Sequence, residues 1–309
     1  MTGKIVGTGS YIPKESWDNN YLATLVDTSN EWIIERTGVI KRHIATDTDT
    51  SMMATNAAIN ALQDSKISSD EIDVVINCTM SPDTILPAVA CEVAKNIGAV
   101  NAFAYDLNAA CSGFVFAYNT VLAYMSCGMV KTALIIGAEK LSKVVDWKDR
   151  GTCILFGDGA GAVILKKTNE ASYKSYTAMH TQAQESSALT MNEGEYIKMD
   201  GQQVFKFAVK KVSNVIEELL AKSNEKIENI DYFVLHQANK RIVESVSKRV
   251  DAPIEKFPMN LMEYGNTSSA SIPILLDEMN KSGKLKPENT IIMAGFGAGL
   301  SWGGTLFKW

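Results

Sequence analysis

Ile72–Ser81 reads IDVVINCTMS, and Ile230–Asn239 reads IDYFVLHQAN. Each is a β-branched apolar run that ends in polar residues, the pattern of a buried strand running into a turn. The segments downstream of the first run recur downstream of the second. Ala104–Phe114 (AYDLNAACSGF), Thr132–Ser142 (TALIIGAEKLS) and Ala160–Lys167 (AGAVILKK) have counterparts in Pro258–Ser269 (PMNLMEYGNTSS), Thr290–Ser301 (TIIMAGFGAGLS) and Trp302–Trp309 (WGGTLFKW). Ile72 and Ile230 lie 158 positions apart, Thr132 and Thr290 158, and Cys111 and Asn266 155. Four segments in one order at a nearly constant offset imply duplication of one α/β unit. Strand-like and helical runs alternate along the whole chain, so the expected class is α/β. The expected division is an N-terminal half over 1–167 and a C-terminal half over 168–309. Residues 168–203, polar and weakly periodic, read as a linker and an edge of the site, and a helical pattern resumes at Val204.

The composition suits a large core. The chain has 309 residues, 46% hydrophobic and 21% charged, enough for two units of ordinary size. Its first residues lack the apolar core of a signal peptide, and no later run is long enough for a bilayer span, so the expected location is the cytoplasm. A net charge of −5 argues against a nucleic-acid surface as the main function. Five widely spaced cysteines without a C-x-x-C pair suggest neither disulfides nor a metal site.

Around Cys111 the chain reads as a short strand, a turn, and a helix that begins near the cysteine and stops before Gly128. A helix N-terminus stabilises a thiolate, so this placement predicts a lowered thiol pKa. Small neighbours, Ala109, Ala110, Ser112 and Gly113, leave room for a substrate. Cys78, Cys91, Cys127 and Cys153 read instead as small buried hydrophobes. His236 follows the strand YFVL and precedes a helix, at the strand's carboxyl end where α/β proteins place ligand sites. By the repeat, Asn266 in YGNTSS takes the place of Cys111. A Cys, a His and an Asn converging in this way fit two chemistries, thiol hydrolases and thioester condensing enzymes, and spacing does not separate them. FGAGLSWGG offers backbone amides for an oxyanion, while LFGDGAGAV reads as a turn and is no dinucleotide fingerprint.

Six segments in order, TSNEWIIERTGVIKRHIA, DLNAACSGF, DRGTCILFGDGAGAV, HQANKRI, YGNTSSASIP and GFGAGLSWGG, resemble the ketoacyl-acyl carrier protein synthase III family over nearly the whole chain. The resemblance implies a thiolase-like fold, two duplicated α/β halves in α-β-α-β-α layers. It also implies condensation of an acyl-CoA primer with malonyl-acyl carrier protein in fatty acid biosynthesis, with no cofactor or metal, by a homodimer. Carried over by motif, Cys111 is the acylated nucleophile, and His236 and Asn266 donate to the malonyl thioester carbonyl. The amides of Cys111 and Ala298 form the oxyanion hole. Trp32, Arg36, Arg150, Gly201 and Gln202 would bind CoA, Leu86 would close the primer pocket, and Lys206, Arg241, Lys248 and Arg249 would receive the carrier protein. Three positions depart from the family pattern: Gln202 where asparagine is frequent, Ala298 where glycine is usual, and Leu86 where phenylalanine is common. Leu86, being smaller, implies room for branched or medium primers. A hydroxymethylglutaryl-CoA synthase would need a glutamate where this chain has Met80.

Overall fold

The computed structural model describes residues 2–309. Nine strands form two main sheets. Strands β1 (Gly3–Tyr11), β2 (Val74–Cys78), β3 (Phe103–Leu107), β4 (Thr132–Glu139) and β5 (Gly159–Lys167) make the first, in spatial order β1-β5-β4-β2-β3. Strands β6 (Tyr176–Thr181), β7 (Tyr232–Leu235), β8 (Thr290–Gly297) and β9 (Ser301–Lys308) make the second, in order β7-β8-β9-β6. The pairings correspond. β2 pairs parallel with β4 and β4 antiparallel with β5, as β7 pairs parallel with β8 and β8 antiparallel with β9. The central strands are apolar at nearly every position because both faces are covered.

Three helical layers supply that cover. Helices α1 (Asn30–Thr37), α2 (Thr50–Ser65), α3 (Val89–Ile97), α4 (Gly113–Ser126), α5 (Gly201–Ser223), α6 (Lys240–Arg249) and α7 (Ser271–Lys281) are the longest. α4 and α7 lie between the sheets, and their Phe114, Tyr118, Leu122, Leu275, Leu276 and Met279 share one buried cluster with Val74 and Ile76 of one sheet and Val234 and Met293 of the other. α2 and α3 cover the outer face of the first sheet, where Ala54, Ala57, Ala58 and Ala61 allow close packing. α5 and α6 cover the second. The α-β-α-β-α layering implied by the resemblance is the observed fold.

The segment read as a linker contains a strand. β6 pairs antiparallel with β9 and forms an edge of the second sheet. Only Ala178 of β6 is buried, so no apolar alternation marks it in the sequence. Helix α5 begins at Gly201, three residues before the periodic pattern, because the Asp200 carboxylate caps the N–H groups of Gln202 and Gln203.

The two turns that follow β3 and precede α7 show how the repeat aligns. Ala110–Ser112 and Ser268–Ala270 are both single 3₁₀ turns, each leading directly into a central helix. Ala110 and Ser268 both adopt left-handed backbone, φ +47° and +51°. The side chains of Asn108 and Asn266 accept from the N–H two residues on, at 3.1 and 2.8 Å. Asn266 is therefore the counterpart of Asn108, and Ser269 that of Cys111, all at the offset of 158. The expectation that Asn266 replaces Cys111 was three residues out. The reason is that the strand β3 has no equivalent before Asn266, where a short helix, Leu261–Tyr264, takes its place.

Candidate active site

Cys111 sits on a strained elbow. Left-handed backbone at a non-glycine residue costs about 1–3 kcal/mol and is held only where packing enforces it. Here the packing is the end of β8: a Cβ added to Gly297 would lie 2.7 Å from the Cys111 nitrogen. Ser112 Oγ also meets Ser301 Oγ at 2.8 Å. The cysteine is thus pinned where the two halves meet.

Cys111, His236 and Asn266 line one cleft of about 200 Å³, together with Leu189, Phe205 and Phe296. His236 is buried; its backbone N–H donates to Ala294 O at 2.9 Å, its Nδ1 lies 2.7 Å from Ser271 Oγ, and the Phe296 ring packs edge-on at 5.1 Å. Ser271 Oγ accepts from the Gln237 N–H at 3.3 Å, and the tautomer in which its hydroxyl donates to Nδ1 carries the imidazole proton on Nε2. Burial holds His236 down at about 3, so the ring is neutral. Asn266 Oδ1 is committed to the Ser268 N–H, which leaves the Nδ2 group to donate into the cleft. The site therefore presents two neutral donors beside a thiol.

The thiol differs from expectation. Burial pushes Cys111 up to about 12, and this outweighs the lowering by the Ser268 hydroxyl and its own backbone. Cys111 is 8% exposed, and desolvation of the charged form exceeds what a helix terminus returns. At rest Cys111 is therefore a neutral thiol. Alkylation of Cys111 should therefore keep accelerating above the ordinary thiol value of about 8.5, read by mass spectrometry of peptides across a pH series. A plateau below that value would contradict the buried-thiol account. The built-in reference is Cys91 and Cys127, which are exposed, contrary to the buried reading; Cys78 and Cys153 are buried as expected.

A second, apolar chamber of about 40 Å³ opens from Cys111 and is lined by Met80, Phe156, Leu189, Met191, Ile197 and Ala298. Ala298 is part of this wall, next to Cys111 and Ala110. Leu86 lies in neither cavity. It is 85% exposed, on the loop that leaves the end of β2, and so closes no pocket within this chain. Of the residues expected at CoA, Arg36 and Gly201 line the cleft. Trp32 lies beneath the guanidinium groups of Arg150 and Arg36, at 4.9 and 5.7 Å from its ring. Gln202 faces instead an adjoining polar hollow with Asp200, Lys206, Lys210 and Lys211, because the helix turns it away from Gly201's side. Lys206, Arg241, Lys248 and Arg249 are all exposed, and the Arg241 guanidinium lies 5.7 Å from the ring of Phe205 at the cleft wall. LFGDGAGAV is structural: buried Asp158 accepts from the N–H groups of Ala45 and Ser142 at 2.7 and 2.8 Å. Sequence reading missed Ser271, Asn239, which caps α6, and Met191 of the chamber.

A thiol elbow between duplicated halves, facing a neutral histidine and an asparagine amide, defines a thiolase-fold condensing enzyme of the acyltransferase class. Residues 105–184 match the family model described as 3-oxoacyl-[acyl-carrier-protein (ACP)] synthase III, and residues 220–309 match its C-terminal model. A β-ketoacyl-[acyl-carrier-protein] synthase III of Clostridium acetobutylicum is 45% identical, over 99% of this chain and 98% of that protein. The crystal structure of 3-oxoacyl-[acyl-carrier-protein] synthase III from Aquifex aeolicus superposes with a TM-score of 0.97 at 42% identity, covering 99% of this chain and 100% of that one. That of the Pseudomonas aeruginosa enzyme gives 0.95 at 36%, covering 100% and 98%. The chain belongs to the 3-oxoacyl-acyl carrier protein synthase III family, the carbon–carbon bond-forming acyltransferases of fatty acid biosynthesis.

Proposed function

We propose that this chain performs its condensation in two half-reactions on Cys111. In the first, the Cys111 sulfur attacks an acyl-CoA carbonyl, and the acyl group passes to the enzyme as CoA leaves with the thiol proton. In the second, malonyl-acyl carrier protein loses carbon dioxide, and the resulting enolate carbon attacks the acyl-Cys111 carbonyl. Collapse of the tetrahedral adduct releases 3-oxoacyl-acyl carrier protein and returns the Cys111 thiolate, which takes one proton from solvent to restore the thiol. His236 Nε2–H and Asn266 Nδ2–H donate to the thioester oxygen as it becomes an enolate, and the amides of Cys111 and Ala298 hold the oxyanion of the adduct. The equation balances without a cofactor.

One observation carries this reading: among the described residues, no Asp or Glu lines either the cleft or the chamber. An enolate arises either by proton abstraction, which calls for a base, or by loss of carbon dioxide, which calls for donors and a poorly solvated carboxylate. The apolar walls and the two neutral donors supply the second set. At Met80, the place of the glutamate in the alternative synthase, the side chain lines the apolar chamber. Measuring carbon dioxide release against product separates condensation from thioester hydrolysis.

The finer assignments rest on position. The adenine of CoA stacks on Trp32, whose face already attracts Arg36 and Arg150, and the two guanidinium groups meet its phosphates. The carrier protein docks on Lys206, Arg241, Lys248 and Arg249. Arg241 stands beside the cleft, and Lys248 lies seven residues on, about 10 Å along the helix. Attraction between exposed charges is screened over about 8 Å at physiological salt, so condensation with malonyl-acyl carrier protein should weaken as salt rises. Arg241→Glu should raise its KM several-fold and spare acylation by acyl-CoA. Equal turnover of malonyl-CoA, insensitive to Arg241→Glu, would remove the docking assignment.

A homodimer accounts for two exposed features. β3 is an open edge strand carrying half-exposed Phe103, and the loop after β2 carries Ile85 and Leu86, 79% and 85% exposed. Leu86 reaches a primer pocket only across such an interface. No helix of the described residues is long and apolar enough to cross a membrane.

A further inference from the structure

Glu139, the last residue of β4, is fully buried and plays no part in the two half-reactions. Its Oε2 accepts from Thr79 Oγ1 at 3.1 Å, the Met80 N–H at 3.1 Å and Ser81 Oγ at 2.6 Å. Its Oε1 lies 2.9 Å from Ser269 Oγ, which in turn lies 2.8 Å from the carbonyl oxygen of Cys78. The Ser268 hydroxyl is a further partner, and every group around the carboxyl is neutral.

The single proton at Ser269 distinguishes the two forms of Glu139. A serine hydroxyl carries one hydrogen, and the Cys78 carbonyl oxygen can only accept. If Ser269 donates to that carbonyl, the contact between Ser269 Oγ and Glu139 Oε1 needs a proton on the glutamate. Both contacts at Ser269 are satisfied by a neutral Glu139 whose O–H donates to Ser269. Burial favours that form and pushes the carboxyl above its ordinary range, against the lowering by the donors from Ser81, Met80, Ser269 and Ser268.

The repeat shows what this does. At the offset of 158, Ser269 is the counterpart of Cys111 and Glu139 that of Gly297. In the first elbow, glycine backs the reactive side chain and leaves it free. In the second, a carboxylic acid stands in the glycine's place and ties the elbow residue down. Gly137, two residues earlier on β4, lets the elbow approach, since a Cβ there would lie 2.3 Å from Ser269 O. The anchored turn carries Asn266 three residues before Ser269 and Ser271 two residues after, and Ser271 holds the His236 ring.

We propose that Glu139 is a protonated positioning residue that locks the second elbow and so fixes both donors, Asn266 and His236, for the condensation half-reaction. The assignment rests on the proposed roles of those two donors. Its neutrality also matters, because a charged Glu139 beside Cys111 and Cys78 would oppose thiolate formation.

Two variants and one spectrum test it. Glu139→Gln offers an N–H to Ser269 and an oxygen to the three donors, and should keep condensation within about threefold of wild type. Glu139→Leu removes the tie and should lower condensation with malonyl-acyl carrier protein by about 10²-fold, the order of one misplaced donor, while acylation by acyl-CoA changes little. Infrared difference spectra of wild type against Glu139→Gln at neutral pH should show the carbonyl stretch of a carboxylic acid. A carboxylate signature in its place, or Glu139→Gln as impaired as Glu139→Leu, would overturn the proposal, as would equal losses in both half-reactions. The spectrum reads the proton with no substrate present, so it separates failure of this assignment from failure of the condensation reading, even if the leucine variant does not fold.

Discussion

Cys111→Ala is expected to take up no acyl group from acyl-CoA and to lose condensation by several orders of magnitude. Among the described residues, Cys111 is the one cysteine that lines the cleft and the chamber, and the nearby Cys78 is buried outside both. Removing the nucleophile of an acyl-transfer enzyme typically costs on the order of 10⁶ in kcat. The fold should survive. Alanine is smaller than cysteine, accepts the same φ, and leaves the close approach of Gly297 to the Cys111 nitrogen unchanged. Intact-mass spectrometry after incubation with acetyl-CoA gives the first readout, and an unchanged thermal transition the second. An acylated Cys111→Ala protein would move the nucleophile elsewhere.

The second large effect concerns the donors. Asn266→Ala and His236→Ala should still become acylated, yet condense about 10²–10³ times more slowly, the usual cost of one oxyanion-type donor. Asn266 has a second task, since its Oδ1 holds the Ser268 N–H within the elbow. Asn266→Asp separates the two. The aspartate keeps the acceptor for Ser268 but has no amide to donate, and its charge would oppose the enolate. It should be at least as impaired in condensation as Asn266→Ala while remaining as stable as wild type. Condensation restored by Asn266→Asp would assign Asn266 to the turn alone. Because His236 is held neutral by burial, its folded-state pKa lies below the unfolded value. Its contribution to stability is therefore complete above about pH 6.5 and is lost as pH falls from there toward its folded pKa.

Much of this site was legible because its signals are local. The apolar runs that end at Cys78 and His236, the cysteine at a strand-to-helix turn, and the recurrence of the same order in both halves are all visible in the chain. The residue-by-residue equivalence within the repeat was not. The insertion of the short helix before Asn266 hides the alignment of Ser269 with Cys111, which only the matching left-handed residues and asparagine bonds disclose. Burial was the other blind spot. A helix terminus is written in the sequence, but the desolvation that raises Cys111 depends on Gly297 and on residues of both halves closing around it. For the same reason Leu86, placed by resemblance at a pocket, lies in solvent here, and β6, nearly all exposed, carries no strand pattern.

The central claim is that one thiol carries the acyl group between two substrates. The most direct measurement tracks the mass of the enzyme through both half-reactions. After acetyl-CoA alone, the protein should gain one acetyl group, located to the peptide containing Cys111 and stable in buffer. On addition of malonyl-acyl carrier protein that mass should disappear, with one carbon dioxide and one 3-oxoacyl-acyl carrier protein formed for each acetyl group lost. An adduct on another residue, or one discharged equally fast by water with no carbon dioxide released, would contradict the account.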